Sequence, residues 1–239
     1  MTPVEREAIQ YDVVIVGAGP AGLSAAIKLK QLDSNLDVVI LEKGAEVGSH
    51  ILSGAVLDPV GLNKLIPDWR TKNAPIDISV VEDKFYFLGP AGRIRIPNLL
   101  MPPIMSNDGN YIVSMSQVCR WLAIEAESLG VEIFPGMACS DLIYGPSNEL
   151  KGVIAGEFGK TKDNIPGVAY EPGMEVLGKY VFLAEGVRGS LSKKTIKKYQ
   201  LDKDSEVPKF GIGMKEVWEI LPENHRKGRV VHTLSLIHI

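Results

Sequence analysis

The sequence predicts an α/β fold, and three of its stretches carry that prediction. Residues 11–16 (YDVVIV) form a β-branched apolar run that ends at glycine, the pattern of a strand buried on both faces of a parallel sheet. Pro20–Leu32 sets Ala21, Leu23, Ala25, Ala26, Ile27, Leu29 and Leu32 on a broad apolar helical face, with Lys28, Lys30 and Gln31 toward solvent. Val38–Glu42 (VVILE) reads as a second buried strand. Strand, glycine turn, helix and strand within 32 residues make a βαβ unit, whose crossover is expected to be right-handed.

Residues 43–110 lose this regularity and are punctuated by glycine and proline, which predicts short strands and loops. Within them, residues 78–88 and 93–96 read as strands around the turn Gly89-Pro90-Ala91-Gly92. Ser114 and Gln117 have the spacing of a capping box, and Val118, Leu122, Ala126 and Leu129 then recur at helical spacing until Gly130. Further strands are expected at residues 131–134, 152–155 and 179–183, the last running into Ala184-Glu185-Gly186. Lys193, Lys194, Lys197 and Lys198 form two like-charged i,i+4 pairs on a following helix and read as a solvated face.

Composition excludes several classes. At 239 residues, 45% apolar and 23% charged, the chain suits one large or two small globular domains rather than disorder, collagen or coiled coil. Its net charge of -3 is unlike that of a nucleic-acid binder. Cys119 and Cys139 lack CxxC spacing, so they suggest neither a disulfide framework nor a metal site, and a reducing compartment is the default. Residues 1–10 contain no apolar signal-peptide core. The longest near-apolar stretch, residues 13–27, is broken by glycines and falls short of the roughly 18 apolar residues of a membrane-spanning helix.

Gly17-Ala18-Gly19-Pro20-Ala21-Gly22 matches G-x-G-x-x-G between a buried strand and a helix, where a Rossmann-like dinucleotide site requires it. The first glycine permits the tight turn, the second lets the backbone approach a diphosphate, and the third lets helix and strand pack closely. Glu42 stands 20 residues after Gly22 at the end of the second strand, where a carboxylate accepts hydrogen bonds from an adenosine ribose and disfavours a 2′-phosphate, hence NADP. These residues do not separate FAD from NAD.

Four segments go further: LEKGAEVGSHILSGAVLDP (residues 41–59), NDGNYIVSMSQVCRWLAIEAESLGVEIFPG (107–136), VFLAEGVRGSLSK (181–193) and FGIGMKEVWEI (210–220). Together they closely resemble the electron-transfer flavoprotein:ubiquinone oxidoreductase family, collinearly over residues 11–233. The resemblance implies an FAD-binding domain of the glutathione-reductase type with an inserted, partly antiparallel β region facing quinone and membrane. It divides the chain into an FAD-binding βαβ unit (1–60), an inserted region with a membrane-interface segment (61–106) and a return to the FAD domain (107–206). The start of an incomplete quinone-binding domain (207–233) and a tail foreign to the family (234–239) follow, so a truncated chain is expected.

Carried over residue by residue, the resemblance puts the ADP of FAD on Gly17, Gly19, Gly22 and Glu42, followed by Lys43. It brings Ser53 and Gly54 to the flavin, Met137 and Ala138 to the adenine end, and Glu185, Gly186 and Gly189 to a second glycine-bearing cofactor motif. Electron transfer needs no catalytic triad, since the cofactor carries the redox step, so no catalytic residue is expected. No metal ligand is expected either: His50, His225, His232 and His238 are scattered, and the two cysteines cannot hold the [4Fe-4S] cluster implied for a longer parent.

The implied partners are electron-transfer flavoprotein, ubiquinone and, monotopically, a membrane surface, without nucleic acid. The apolar stretches 85–88 and 99–105 flank Arg93 and Arg95 and read equally as core or as an interfacial anchor, and the resemblance favours the anchor. The implied location is the cytoplasmic face of a bacterial inner membrane, or the mitochondrial inner membrane for a processed eukaryotic chain. Two alternatives share the fingerprint: a geranylgeranyl-reductase-like or hydroxylase-like flavoprotein, and a non-catalytic dinucleotide-binding module.

Overall fold

The computed structural model describes residues 5–52, 54–162, 165–209 and 211–235. In chain order its elements are β1 (Ala8–Val16), α1 (Pro20–Leu32), β2 (Val38–Glu42), β3 (Ala55–Leu57), α2 (Val60–Leu65), β4 (Ile78–Ser79), β5 (Glu82–Gly89), β6 (Gly92–Ile96), β7 (Tyr111–Val113), α3 (Met115–Ser128), β8 (Glu132–Pro135), β9 (Cys139–Tyr144), β10 (Leu150–Ala155), β11 (Phe158–Lys160), β12 (Pro166–Glu171), β13 (Met174–Leu183), α4 (Ser190–Tyr199) and β14 (Arg229–Ser235). They divide into two compact units, one of Met1–Ile51 with Cys119–Ile212, the other of Leu52–Val118 with Gly213–Ile239.

The first unit is built on a six-stranded sheet in the order β8-β2-β1-β13-β10-β9. β8, β2, β1 and β13 run parallel, with Val14 between Val39 and Val181, and β10 and β9 extend the sheet antiparallel. The continuous apolar runs of β1 and β2 follow from their central place, because both faces of the sheet are covered. Val13, Val14, Ile15, Val38, Val39 and Ile40 are all buried. Leu23, Ala26 and Ile27 of α1 are buried beside one face. On the other, Leu191 of α4 joins Val14, Val16, Val39, Leu41, Val153 and Val176 in one cluster. Burying each such aliphatic side chain is worth about 1.5–3 kcal/mol. The α/β, Rossmann-like architecture expected from the βαβ unit is therefore present.

The expected amphipathic helix is α3, which buries Val118, Cys119, Leu122 and Ala126. Gly130, at φ +83°, turns the chain toward β8. Sequence reasoning did not identify β9, α2 or the β11–β12 hairpin.

The second unit holds two three-stranded sheets, β14-β5-β6 and β3-β7-β4. β5 and β6 form the expected hairpin, with Gly89 opposite Gly92. The single strand expected over residues 78–88 is two strands in different sheets. The break lies where the Val80 N–H bonds the Asn110 carbonyl at 2.8 Å and the Val81 N–H bonds that of Gly228 at 2.8 Å, so the backbone changes partners. Trp69 is buried beneath α2, donating its indole N–H to Asn63 at 2.8 Å and meeting Tyr111 edge-on at 5.5 Å.

Candidate functional site

The turn from β1 into α1 assigns each of its glycines a steric reason. Gly17 has φ +107°, and a Cβ there would lie 2.5 Å from the Ala184 carbonyl oxygen at the end of β13. A Cβ on Gly22 would meet the Gly17 carbonyl at 2.0 Å and Ile15 Cγ2 at 3.1 Å, so this glycine seats the helix on its strand. Gly19 is different, because nothing lies within 4 Å of its Cβ position. The open space in front of it is where a diphosphate would approach the backbone. Gly19 is also the N-cap of α1, with Pro20 following and no side-chain oxygen capping the helix. Backbone N–H groups and the positive end of the helix dipole therefore face outward, the arrangement that binds anions.

Glu42 is fixed beside this turn. One carboxylate oxygen accepts the Ala18 N–H at 2.8 Å and the other the Gly44 N–H at 2.7 Å. A carboxylate offers about four lone-pair directions, so two remain open to further donors. Gly44 matters to this arrangement, since a Cβ there would come within 2.5 Å of Ser49 Oγ and 3.1 Å of the Glu42 carboxylate. A glycine two residues after the acid is the sequence signal, and it was missed. Lys43, between them, is exposed.

The connection from β8 to β9 lies across the end of β2. Gly136 N–H donates to the Gly44 carbonyl at 2.7 Å, and Met137 N–H to the Glu42 carbonyl at 2.9 Å. The Ala138 carbonyl accepts from Gly156 at 2.9 Å. Met137 and Ala138 thus sit on a segment tied to the Glu42 backbone.

Glu185 caps α4. Its carboxylate accepts the N–H of Ser192 and its hydroxyl, both at 2.7 Å, the N–H of Leu191 at 3.2 Å and the Ser190 hydroxyl at 3.4 Å. Gly189 makes this reach possible, because a Cβ there would lie 2.5 Å from Glu185. Gly186, at φ +77°, has nothing within 4 Å of its Cβ position.

The two cysteines behave as packing residues. Burial, then Glu42, pushes the Cys119 thiol up to about 11, and burial, then Glu185 and Glu42, pushes Cys139 up to about 12. Neither is a thiolate at neutral pH.

Ser53 lies outside the described residues, as does His238. Gly54 belongs to the second unit, has φ +80°, and accepts a hydrogen bond from the Lys215 ammonium on its carbonyl. His50 is exposed. His232, one of the scattered histidines, lies 3.1 Å from Asp83 and stacks on Phe85. Two of the α4 lysines have local partners: Lys194 pairs with Asp141 at 2.8 Å, and Lys198 lies 3.3 Å above the Tyr144 ring. Among the described residues, no group of three or more His, Cys, Asp or Glu side chains could hold a metal ion.

Fold and turn together define a Rossmann-type dinucleotide-binding protein. In agreement, residues 15–69 match the family model of the NAD(P)-binding Rossmann-like domain. Relatives narrow the class: the chain is 47% identical to electron transfer flavoprotein-ubiquinone oxidoreductase of Pseudomonas aeruginosa, covering 96% of this chain and 43% of that protein. To the mitochondrial protein of that name from Dictyostelium discoideum it is 48% identical, covering 96% of this chain and 38% of that one. The chain belongs to the electron transfer flavoprotein-ubiquinone oxidoreductase family, and it spans about two fifths of the length of these relatives. Among solved structures, a geranylgeranyl bacteriochlorophyll reductase-like protein from Thermoplasma acidophilum superposes with a TM-score of 0.52 at 20% identity, covering 75% of this chain and 40% of that one. That likeness concerns the fold.

Proposed function

We propose that this chain supplies the ADP-binding part of an FAD site in an enzyme that passes electrons from electron-transfer flavoprotein to ubiquinone. One observation carries the reading. The open face of Gly19 at the uncapped start of α1 stands beside Glu42, whose carboxylate is already oriented by the Ala18 and Gly44 amides.

The backbone N–H groups at the start of α1 would hold the diphosphate, and Glu42 would accept the adenosine ribose hydroxyls. Met137 and Ala138 would border the adenine. Gly17 and Gly22 act by letting the turn close, and Gly186 leaves its backbone approachable. Glu185 and Gly189 would shape the far edge of the site by fixing the start of α4, and Lys43, Ser53 and Gly54 complete the proposed set. FAD supplies reversible electron transfer when bound, while the chain positions it and limits water. On this reading residues 1–60 and 107–206 serve the cofactor, 61–106 are an inserted region that carries a membrane-interface segment, and 207–233 begin a quinone-binding region.

The membrane part of the proposal is supported by Leu99 and Ile104, which are 94% and 93% exposed. They lie in a proline-rich stretch, residues 92–106, that contains Arg93 and Arg95 and no acid. An apolar, basic-flanked segment of this kind suits insertion into a bilayer interface. No helix among the described residues is long and apolar enough to cross a membrane. The corresponding location is the cytoplasmic face of a bacterial inner membrane or the mitochondrial inner membrane.

Incubation with FAD, desalting and a visible absorption spectrum test the cofactor reading. Retained flavin absorbance that disappears in Gly19→Val is the expected result. Flavin retained equally by both proteins would place it elsewhere.

A further inference from the structure

We propose that Asp83, His232 and Asn107 form a proton-sensitive latch, which holds residues 98–107 against the β14-β5-β6 sheet and tightens when His232 is protonated. The latch stands apart from the dinucleotide site and does not depend on the reading of it.

Strand register brings the parts together. β14 runs parallel to β5 with Val230 opposite Asp83 and His232 opposite Phe85, and β6 sets Ile96 opposite Phe85. Neighbours in register share a face, so Asp83, Phe85, His232 and Ile96 lie on one side of the sheet. Glu82, Lys84, Arg229, Arg93 and Arg95 project from the other side, where Glu82 pairs with Lys84 and Arg229. Residues 98–107 (NLLMPPIMSN) contain no ionisable side chain. The charged group that meets the His232 ring is therefore Asp83.

Asp83, whose side chain is only 11% exposed, anchors both ends of that segment. Its backbone carbonyl accepts the Asn98 side-chain amide at 2.9 Å. Its Oδ2 accepts both the backbone N–H and the side-chain amide of Asn107, each at 3.1 Å. Oδ1 is buried without a hydrogen-bond partner, yet it lies 3.1 Å from His232 Nε2. That nitrogen is also 3.0 Å from the Asn107 side-chain nitrogen.

These contacts make the bond between ring and carboxylate depend on the proton at Nε2. With the imidazole neutral and its proton on Nδ1, the single Nε2 lone pair accepts from Asn107 and Oδ1 has no donor; with the proton on Nε2 the ring donates to Oδ1 as a neutral group and the Asn107 amide gives up that acceptor. Full protonation fixes the proton on Nε2 and makes its bond to Oδ1 charge-assisted, while Asn107 keeps its bonds to Oδ2. Phe85, stacked on the ring at 4.4 Å and 8°, fixes the imidazole plane, and the ring is exposed enough for water to deliver the proton. What the latch controls is how firmly the segment bearing the exposed Leu99 and Ile104 is held at its two ends.

Hydrogen exchange of the full chain, corrected for intrinsic rates, would be followed from pH 8 to pH 5.5 alongside the His232 imidazole resonance. Protection of amides 98–107 should rise about tenfold on acidification, with a midpoint that tracks that resonance, the scale set by one hydrogen bond to a charged group. His232→Gln should remove the response. Should that variant fail to fold, coincidence of the two midpoints in the unaltered chain decides. Protection that stays flat while His232 titrates, or a pH response that survives His232→Gln, would overturn the latch.

Discussion

Glu42→Gln isolates the carboxylate that the site is built around. Its two oxygens accept backbone N–H groups at 2.8 and 2.7 Å, so an amide must turn its NH2 toward one of those donors. One charge-assisted hydrogen bond is lost and the other falls to neutral strength. Hydrogen bonds to charged groups contribute about 1.5–3 kcal/mol. With Glu42 half-buried, the cost to the cofactor-free fold should fall toward the lower end, about 1–2 kcal/mol. Binding suffers separately, because a ribose hydroxyl that donates to a carboxylate loses charge assistance and the side chain loses its fixed orientation. FAD affinity should drop about ten- to a hundredfold. FAD fluorescence titration gives the affinity, and a thermal melt without FAD gives the stability. A variant that melts earlier yet binds FAD as tightly would leave Glu42 a structural residue and remove it from the site. No change in either quantity would refute the geometry itself.

Gly19→Val and Gly22→Ala should separate ligand space from packing space. The former faces emptiness and should abolish FAD binding while the chain still folds, and the latter puts a Cβ 2.0 Å from the Gly17 carbonyl and should cost at least about 3 kcal/mol in denaturant unfolding. Replacing Leu99, Leu100 and Ile104 with Ser should weaken co-sedimentation with liposomes without altering the melt, since all three are largely exposed; an early melt with unchanged partitioning would make them core. Glu157 supplies the pH dependence: burial pushes its carboxyl up, but hydrogen bonds led by that from Lys160, with others from Tyr170 and Arg6, outweigh this and leave it at about 2, against an ordinary 4.5. Its contribution is fully present above pH 4.5 and is lost as pH falls through 2. After allowance for solvent at its cationic partners the amount should be about 1–2 kcal/mol, and Glu157→Gln should flatten that part of the acid unfolding curve.

The parts of the molecule legible in the sequence are those whose physics is local. Gly17, Gly19 and Gly22 lie within one turn, and their roles follow from the strand before and the helix after them. β1, β2 and α1 show themselves because burial on both faces of a sheet leaves no polar position to blur the pattern. β9 (CSDLIY) stayed hidden because it mixes polar and apolar residues on an edge strand, and the β11–β12 hairpin because glycine and proline interrupt it. The split between β4 and β5 depends on Asn110 and Gly228, which are distant in sequence from Val80 and Val81. Distance also hid the pairing of Asp83 with His232. Glu185 shows a subtler limit. An acid after a strand and before a glycine marks the position, but that its carboxylate accepts from four donors in the first turn of α4, five to seven residues ahead, is visible only in the structure.

Competition bears most directly on whether these residues hold the ADP half of a flavin dinucleotide. Bound FAD would be challenged with ADP and, in parallel, with FMN, and its release followed by flavin fluorescence. Displacement by ADP but not by FMN is the predicted result. Displacement by FMN alone, or no binding of FAD at all, would contradict it.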